Sequence, residues 1–145
     1  MTQTLSTIGY EGRSLDDFIQ TLKDAGIERI IDVRDLPLSR KEGFSKHALA
    51  AALAGAGIEY VHLRQLGNPK EGRLAAKAGK WKEFLEIYQQ RLNTQAAQEQ
   101  MAELVKLARQ TPSCLLCFEH KVNECHRQIV AVEAAKRAGF AIRNL

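Results

Sequence analysis

Apolar residues along the chain alternate between two spacings, one suited to strands and one to helices. Thr4 to Gly9 is a short β-prone run followed by the polar turn Tyr10-Glu11-Gly12-Arg13. Ser14 then stands as an N-cap with Asp17 three residues on, a variant of the capping box. Leu15, Phe18, Ile19 and Leu22 follow at helical spacing until Gly26. Residues 29–33 read as a second strand, and 34–43 as a long polar loop broken by Pro37 and Gly43. Ser45 caps a second helix carrying Leu49 and Leu53, closed by Gly55 and Gly57. Residues 58–63 form a third strand and 65–70 another loop. The middle of the chain is helical. Trp81, Phe84, Leu85 and Tyr88 make one apolar stripe; Met101, Leu104, Val105 and Leu107 make a second, with Thr94 as its cap. Pro112 ends this run before a strand over 114–118. A short polar loop leads to a helix over about 125–138 that ends at Gly139, and 140–142 suit a last strand.

Strands that alternate with helices imply parallel β-α-β units with right-handed crossovers. The expected architecture is a single α/β domain over 1–145. It is a three-layer, mostly parallel, Rossmann-like open sheet with an extra helical segment in mid-chain. Such sheets bind ligands at the carboxyl ends of their strands. That edge would gather Tyr10, Glu11 and Arg13; Arg34, Ser39 and Arg40; His62, Arg64 and Asn68; and Cys117, Glu119 and His120.

Composition narrows the class only modestly. The formal charge of +4 favours anionic partners, either a phosphorylated small molecule or nucleic acid. No run of about 18 apolar residues occurs, so no membrane span is expected. The start of the chain lacks a basic segment leading into an apolar stretch. Three cysteines is an odd number, which argues for a reducing cytoplasm rather than a disulfide framework. No glycine-rich fingerprint implies a nicotinamide, flavin or ATP cofactor.

The segment from Cys114 to Arg127 concentrates reactive side chains. Cys125 near a helix N-terminus, with Arg127 to favour the thiolate and His126 to accept its proton, suits a nucleophile or redox thiol; the alternative is a small packed residue. Cys117 to Arg127 encloses nine residues and no glycine, unlike a tight phosphate cradle. Cys117, Cys125 and His126, with His120 or His62, are zinc-type donors, but without a C-x-x-C pair no metal is expected. Arg34, Arg40 and Arg127, with Ser39 and Tyr10, form a candidate anion site. Against it stands Arg34 pairing with Asp32, Asp35 or Glu119 to complete the fold. Glu119 suits either a general acid or base or a neutralising role, and Tyr10 either a stacking or a core position. Lys70, Arg73, Lys77, Lys80 and Lys82 offer a basic face whose default is solvation.

Jointly, Thr7 to Gly12, Asp32 to Arg40, Leu63 to Pro69, and Cys117-Phe-Glu with Cys125-His-Arg closely resemble the domain of unknown function 488 family. The positions that match its motifs are Gly9, Tyr10, Arg34, Pro37, Ser39, Gly67, Cys117, Glu119, Cys125, His126 and Arg127. The resemblance implies a small α/β domain whose motif residues gather at one site, and no particular reaction. The functional expectation is an anion-binding site at the carboxyl edge, serving an enzyme on a phosphorylated or nucleotide-like substrate. The alternatives are a non-catalytic nucleic-acid-binding or repair-associated module, and a thiol redox sensor in which Cys117 and Cys125 come within disulfide reach.

Overall fold

The computed structural model describes residues 2–121 and 125–145; residues 122–124, within the polar loop expected before the last helix, lie outside the described residues. The elements run β1 (Thr4–Gly9), α1 (Leu15–Asp24), β2 (Arg29–Asp32), α2 (Lys46–Gly55) and β3 (Glu59–His62). A 3-10 turn (Arg64–Leu66) then leads to α3 (Lys70–Lys77), α4 (Trp81–Leu92) and α5 (Gln95–Gln110). The chain finishes with β4 (Ser113–Cys117), α6 (Arg127–Ala138) and β5 (Ala141–Asn144). The strands form one sheet in the order β3-β2-β4-β1-β5, and every pairing is parallel.

Parallel neighbours need crossover connections, and the right-handed rule assigns each connection a face. Connections from β1 to β2 and from β2 to β3 run one way across the sheet. Those from β3 to β4 and from β4 to β5 run the other way. The cores follow this division. Ile8, Ile30, Cys114 and Leu116 pack under Phe18 and Leu22 of α1 and Leu49 and Leu53 of α2. Leu5, Ile31 and Leu115 pack on the opposite face beneath α4, α5 and α6, through Tyr88, Leu104 and Val130. The result is the expected three-layer α/β fold.

The register decides what the sheet edge contains. Gly9 lies beside Cys117, and Asp32 lies between Leu116 and His62. Because β4 inserts between β2 and β1, neighbouring connections leave this edge toward opposite faces, which opens the crevice where open α/β sheets bind ligands.

Helix starts agree with the side chains that satisfy them. Ser14 Oγ accepts the Asp17 N–H at 3.1 Å, and Thr94 Oγ1 accepts the Ala97 N–H at 3.2 Å. Ser45 occupies the N-cap of α2, but its hydroxyl accepts the Ser39 N–H at 3.0 Å instead of a helical one. The mid-chain helices differ from the expected stripes. Residues 70–77 form a separate helix, closed by Ala78 before Gly79 at φ +74. In α4 the buried positions are Phe84, Tyr88 and Leu92, while Trp81 and Leu85 are exposed. A stripe read at i, i+3, i+4 thus slipped by half a face relative to the packed i, i+4, i+8 row. Helix α6 starts at Arg127, two residues later than expected, so Cys125 precedes its N-cap, His126. Among the described residues, no helix is long and apolar enough to cross a membrane.

Candidate functional site

Cys117 ends β4 and Cys125 precedes α6, and their sulfurs are joined as a disulfide with the Cα atoms 7.3 Å apart. Both are buried, Cys117 at 1% exposure and Cys125 at 5%. An odd cysteine count argues against disulfide bonding, but the structure joins Cys117 to Cys125 and leaves Cys114 as a free thiol. Cys114 points into the other core, where burial raises its pKa far above the ordinary thiol range, so it stays an inert packing residue.

Arg127 organises this corner. Its side chain is fully buried, with Nη1 donating to the Glu119 carbonyl and, at 3.1 Å, to Cys117 Sγ, and Nη2 donating to the His120 carbonyl at 3.0 Å. Among the described residues its Nε has no hydrogen-bond partner. Burial pulls the Arg127 pKa down, partly offset by the charge of Glu119. A buried cation of this kind favours an anion next to it, and Cys117 Sγ, to which it donates, can become one once the bond is reduced. Glu119 Oε2 lies 3.5 Å from the same sulfur, close enough to accept a thiol proton once the bond is reduced. The backbone permits the approach because residue 9 is glycine. A Cβ there would stand 1.8 Å from the Glu119 carbonyl oxygen and 3.0 Å from Arg127 Nη1.

His126 lies against this pair but its ring is held by structure. Nε2 is 2.6 Å from the Val33 carbonyl, so Nε2 carries the proton, and the free Nδ1 lone pair is 3.7 Å from Cys125 Sγ. Tyr88 packs edge-on against it at 5.3 Å. Burial outweighs the Val33 hydrogen bond and lowers the imidazole to about 4. Such a group is a weak base at neutral pH, so Nδ1 can accept a hydrogen bond from the Cys125 thiol only once the disulfide is reduced. A stability effect follows. The unfolded imidazole titrates near 6.5, so between pH 6.5 and 4 the unfolded chain binds a proton that the folded chain excludes. Stability therefore falls as pH drops through that window and levels off below it, by up to about 3 kcal/mol. Urea unfolding at pH 7 and pH 5 should show about 2 kcal/mol of this loss in the wild type and a clearly smaller one in His126→Gln. Equal losses would contradict the assignment.

The candidate anion group does not assemble as the sequence suggested. Arg34 is 6% exposed and commits all its nitrogens: Nε and Nη2 donate to Asp32 at 2.9 and 2.7 Å, and Nη1 to the Phe44 carbonyl at 2.7 Å and, more weakly, to Tyr10 Oη at 3.4 Å. Asp32 is fully buried and also accepts from Tyr60 Oη at 2.5 Å. Tyr10 is a core residue, stacked on Phe44 at 4.6 Å. Ser39 Oγ accepts the Lys41 N–H at 3.0 Å and braces the loop. Arg40 is exposed on that loop. His62 Nε2 lies 2.7 Å from the Arg34 carbonyl, which supports the same strand end.

A different cationic group stands nearby. Asp35 receives Arg91 Nη1 at 3.0 Å, Arg73 Nη1 at 3.2 Å and Arg64 Nε at 3.7 Å. Burial would raise the Asp35 pKa, but the hydrogen bonds from Arg91 and Arg73 and the charges of Arg91 and Arg64 hold it below the usual carboxylate range. Gly67 allows this convergence, since a Cβ there would meet the Asp35 backbone nitrogen at 2.2 Å. In sequence Arg64 follows a strand, Arg73 belongs to a lysine-rich segment and Arg91 stands in a helix without a motif. Only the return of α3 and α4 over the sheet edge brings them together.

For a metal ion, the donor set among the described residues is Cys117, Glu119 and Cys125, whose ligand atoms lie within 4.8 Å of one another. That set uses a carboxylate in place of the expected histidines and requires the reduced cysteines. A concavity of about 520 Å³ lies at the opposite edge of the sheet, bordered by Gln3, Gly26, Pro112 and Arg143. It is lined by none of the cysteines, histidines or carboxylates named above.

No curated protein and no solved structure matches the chain. A family model described as a domain of unknown function, DUF488, matches residues 14–133, from the cap of α1 well into α6. The matched span includes the Asp32–Arg34 pair, the arginines around Asp35 and both sulfurs of the buried bond. The resemblance carried by those motifs is thus upheld over most of the chain, which belongs to the DUF488 family.

Proposed function

We propose that the protein is a thiol–disulfide redox element in which Cys117 and Cys125 exchange two electrons with low-molecular-weight disulfides. The observation that carries this reading is the joining of the two sulfurs beside a buried guanidinium that donates to one of them. In the reduced form Cys125, the less buried of the two, gives its proton to solvent and attacks one sulfur of the small disulfide as thiolate, and the first thiolate that leaves takes up a proton from solvent. Cys117 then transfers its proton to Glu119, keeps the Arg127 N–H as thiolate stabiliser, and attacks Cys125 Sγ. The mixed disulfide breaks and the second thiolate departs, taking up the proton. One external disulfide becomes two thiols while the protein dithiol becomes a disulfide.

The reading in which Arg34, Arg40 and Arg127 hold a phosphorylated substrate has less support, because Arg34 and Arg127 direct their donors into the protein. Trapping separates the roles of the cysteines. With glutathione disulfide, Cys117→Ser should accumulate a glutathione adduct on Cys125, and Cys125→Ser should react at least tenfold more slowly. If the wild type, once reduced, gains glutathione on Cys117 and never closes the internal bond, the proposal fails.

A further inference from the structure

Three arginines from three elements converge on Asp35: Arg64 from the 3-10 turn, Arg73 from α3 and Arg91 from α4. One carboxylate neutralises one of them, so the cluster keeps a formal charge of +2. Their hydrogen-bonding capacity is also largely unused. Arg73 works only through Nη1, which also donates to the Asn68 carbonyl at 2.9 Å. Arg91 likewise uses only Nη1, which reaches the Gly67 carbonyl at 3.3 Å and the Arg64 carbonyl at 3.4 Å. Arg64 touches Asp35 through Nε alone. Among the described residues, Nη2 of Arg73 and Arg91 and both Nη atoms of Arg64 have no protein acceptor. Arg29 and Arg34, the structural arginines of this fold, instead bond through Nε and both Nη atoms.

The cluster is open to solvent in a graded way, with Arg64 65% exposed, Arg73 41% and Arg91 21%. Partly exposed ion pairs contribute little to stability, so holding the fold does not account for three guanidiniums on one carboxylate. Their mutual repulsion is relieved by an added anion, and free guanidinium forks match the oxygens of a phosphoryl group. We infer that Arg64, Arg73 and Arg91 form a binding site for a phosphoryl dianion, whose two negative charges equal the unneutralised positive charge. The site involves no cysteine and does not depend on the redox reading. Its ligand chemistry is common to a small phosphate ester and to the backbone of a nucleic acid, and the measurement distinguishes these sources.

Full-length protein is titrated by calorimetry with inorganic phosphate, and separately with a short single-stranded oligonucleotide, at fixed ionic strength. Arg64→Gln and Arg73→Gln are compared with Lys77→Gln, which removes an exposed charge of α3 outside the cluster. Saturable phosphate binding, weakened at least tenfold by each arginine change and unaffected by Lys77→Gln, is the expected result. Oligonucleotide binding that is much tighter, falls steeply with salt and needs the same arginines would support the site and assign nucleic acid as its source. Lack of saturable binding to either probe, or equal weakening by Lys77→Gln, would overturn the inference. Melting curves of each variant check the fold, and Arg64, the most exposed, is the variant least exposed to that complication.

Discussion

Replacing Arg34 by alanine should destabilise the protein by about 3–5 kcal/mol, the cost of leaving one partner of a buried ion pair uncompensated. Asp32 has no exposure and receives Arg34 through the backbone N–H, Nε and Nη2. Burial alone would lower the Arg34 pKa, yet the hydrogen bonds and charge of Asp32 raise it above the ordinary arginine value. The Arg34 guanidinium is therefore charged at any pH at which the protein folds. Lysine should not rescue the loss, because a single ammonium cannot reach two carboxylate oxygens, the Phe44 carbonyl and Tyr10 together. The double change Asp32→Asn with Arg34→Met should recover a substantial part of it, since no uncompensated charge then remains. Chemical denaturation measures all three. A single-alanine loss below about 1 kcal/mol would mean that the pair is hydrated and that Arg34 is available to a ligand after all.

Gly9→Ala is the second large effect expected. The added Cβ meets backbone atoms, the Glu119 carbonyl oxygen at 1.8 Å and its carbon at 2.5 Å, which cannot rotate away. The Tyr10 and Glu11 N–H groups bond to the Cys117 and Phe118 carbonyls at 3.2 and 2.8 Å, so the two chain segments are tied together at this point. Relief requires moving the segment at Glu119, which breaks its hydrogen bond from the buried Arg127. Overpacking of about 1–3 kcal/mol and a lost charged hydrogen bond of about 1.5–3 kcal/mol together predict a loss of about 2.5–6 kcal/mol. At this chain length that corresponds to a fall in Tm of roughly 10 °C or more. The same change should slow closure of the Cys117–Cys125 bond, because it shifts the residues that flank Cys117. Gly12→Ala is the matched control: its φ of +77 makes alanine strained by about 1–2 kcal/mol, but a Cβ there meets nothing within 4 Å. If Gly12→Ala proves the more damaging of the two, close approach at Gly9 is not what holds this corner.

Much of the fold was legible in the sequence because local signals and tertiary structure agree. Ser14 and Thr94 cap the helices they were assigned to, Gly139 ends α6, and the alternation of strand and helix periods leads to the parallel sheet. Strand order carries no local signal, so the insertion of β4 between β2 and β1 could not be read, nor could the resulting contact of Gly9 with the segment after β4. The apolar row of α4 was misplaced because Trp81 and Leu85 are apolar yet remain exposed, and hydrophobicity does not mark which apolar residues a neighbour will cover.

Of the residues the sequence singles out, one group stands close together, and its roles have no signature in the sequence. Cys117, Glu119, Cys125, His126 and Arg127 do gather, as their positions at one sheet edge implied. Arg34 was read first as a ligand arm because a strand-end arginine beside an aspartate suits either role, and burial decides between them. The Asp35 cluster has no signature in the sequence, because Arg64, Arg73 and Arg91 share no motif or period and meet only through three separate elements.

The redox reading is tested most directly by equilibrating the protein in glutathione buffers of graded potential and mapping the cysteines by alkylation and peptide mass spectrometry. The account predicts a single two-electron transition in which Cys117 and Cys125 change together between free thiols and one internal disulfide, while Cys114 remains a free thiol throughout. Independent modification of Cys117 and Cys125, or failure of the pair to close even in the most oxidising buffer, would contradict it.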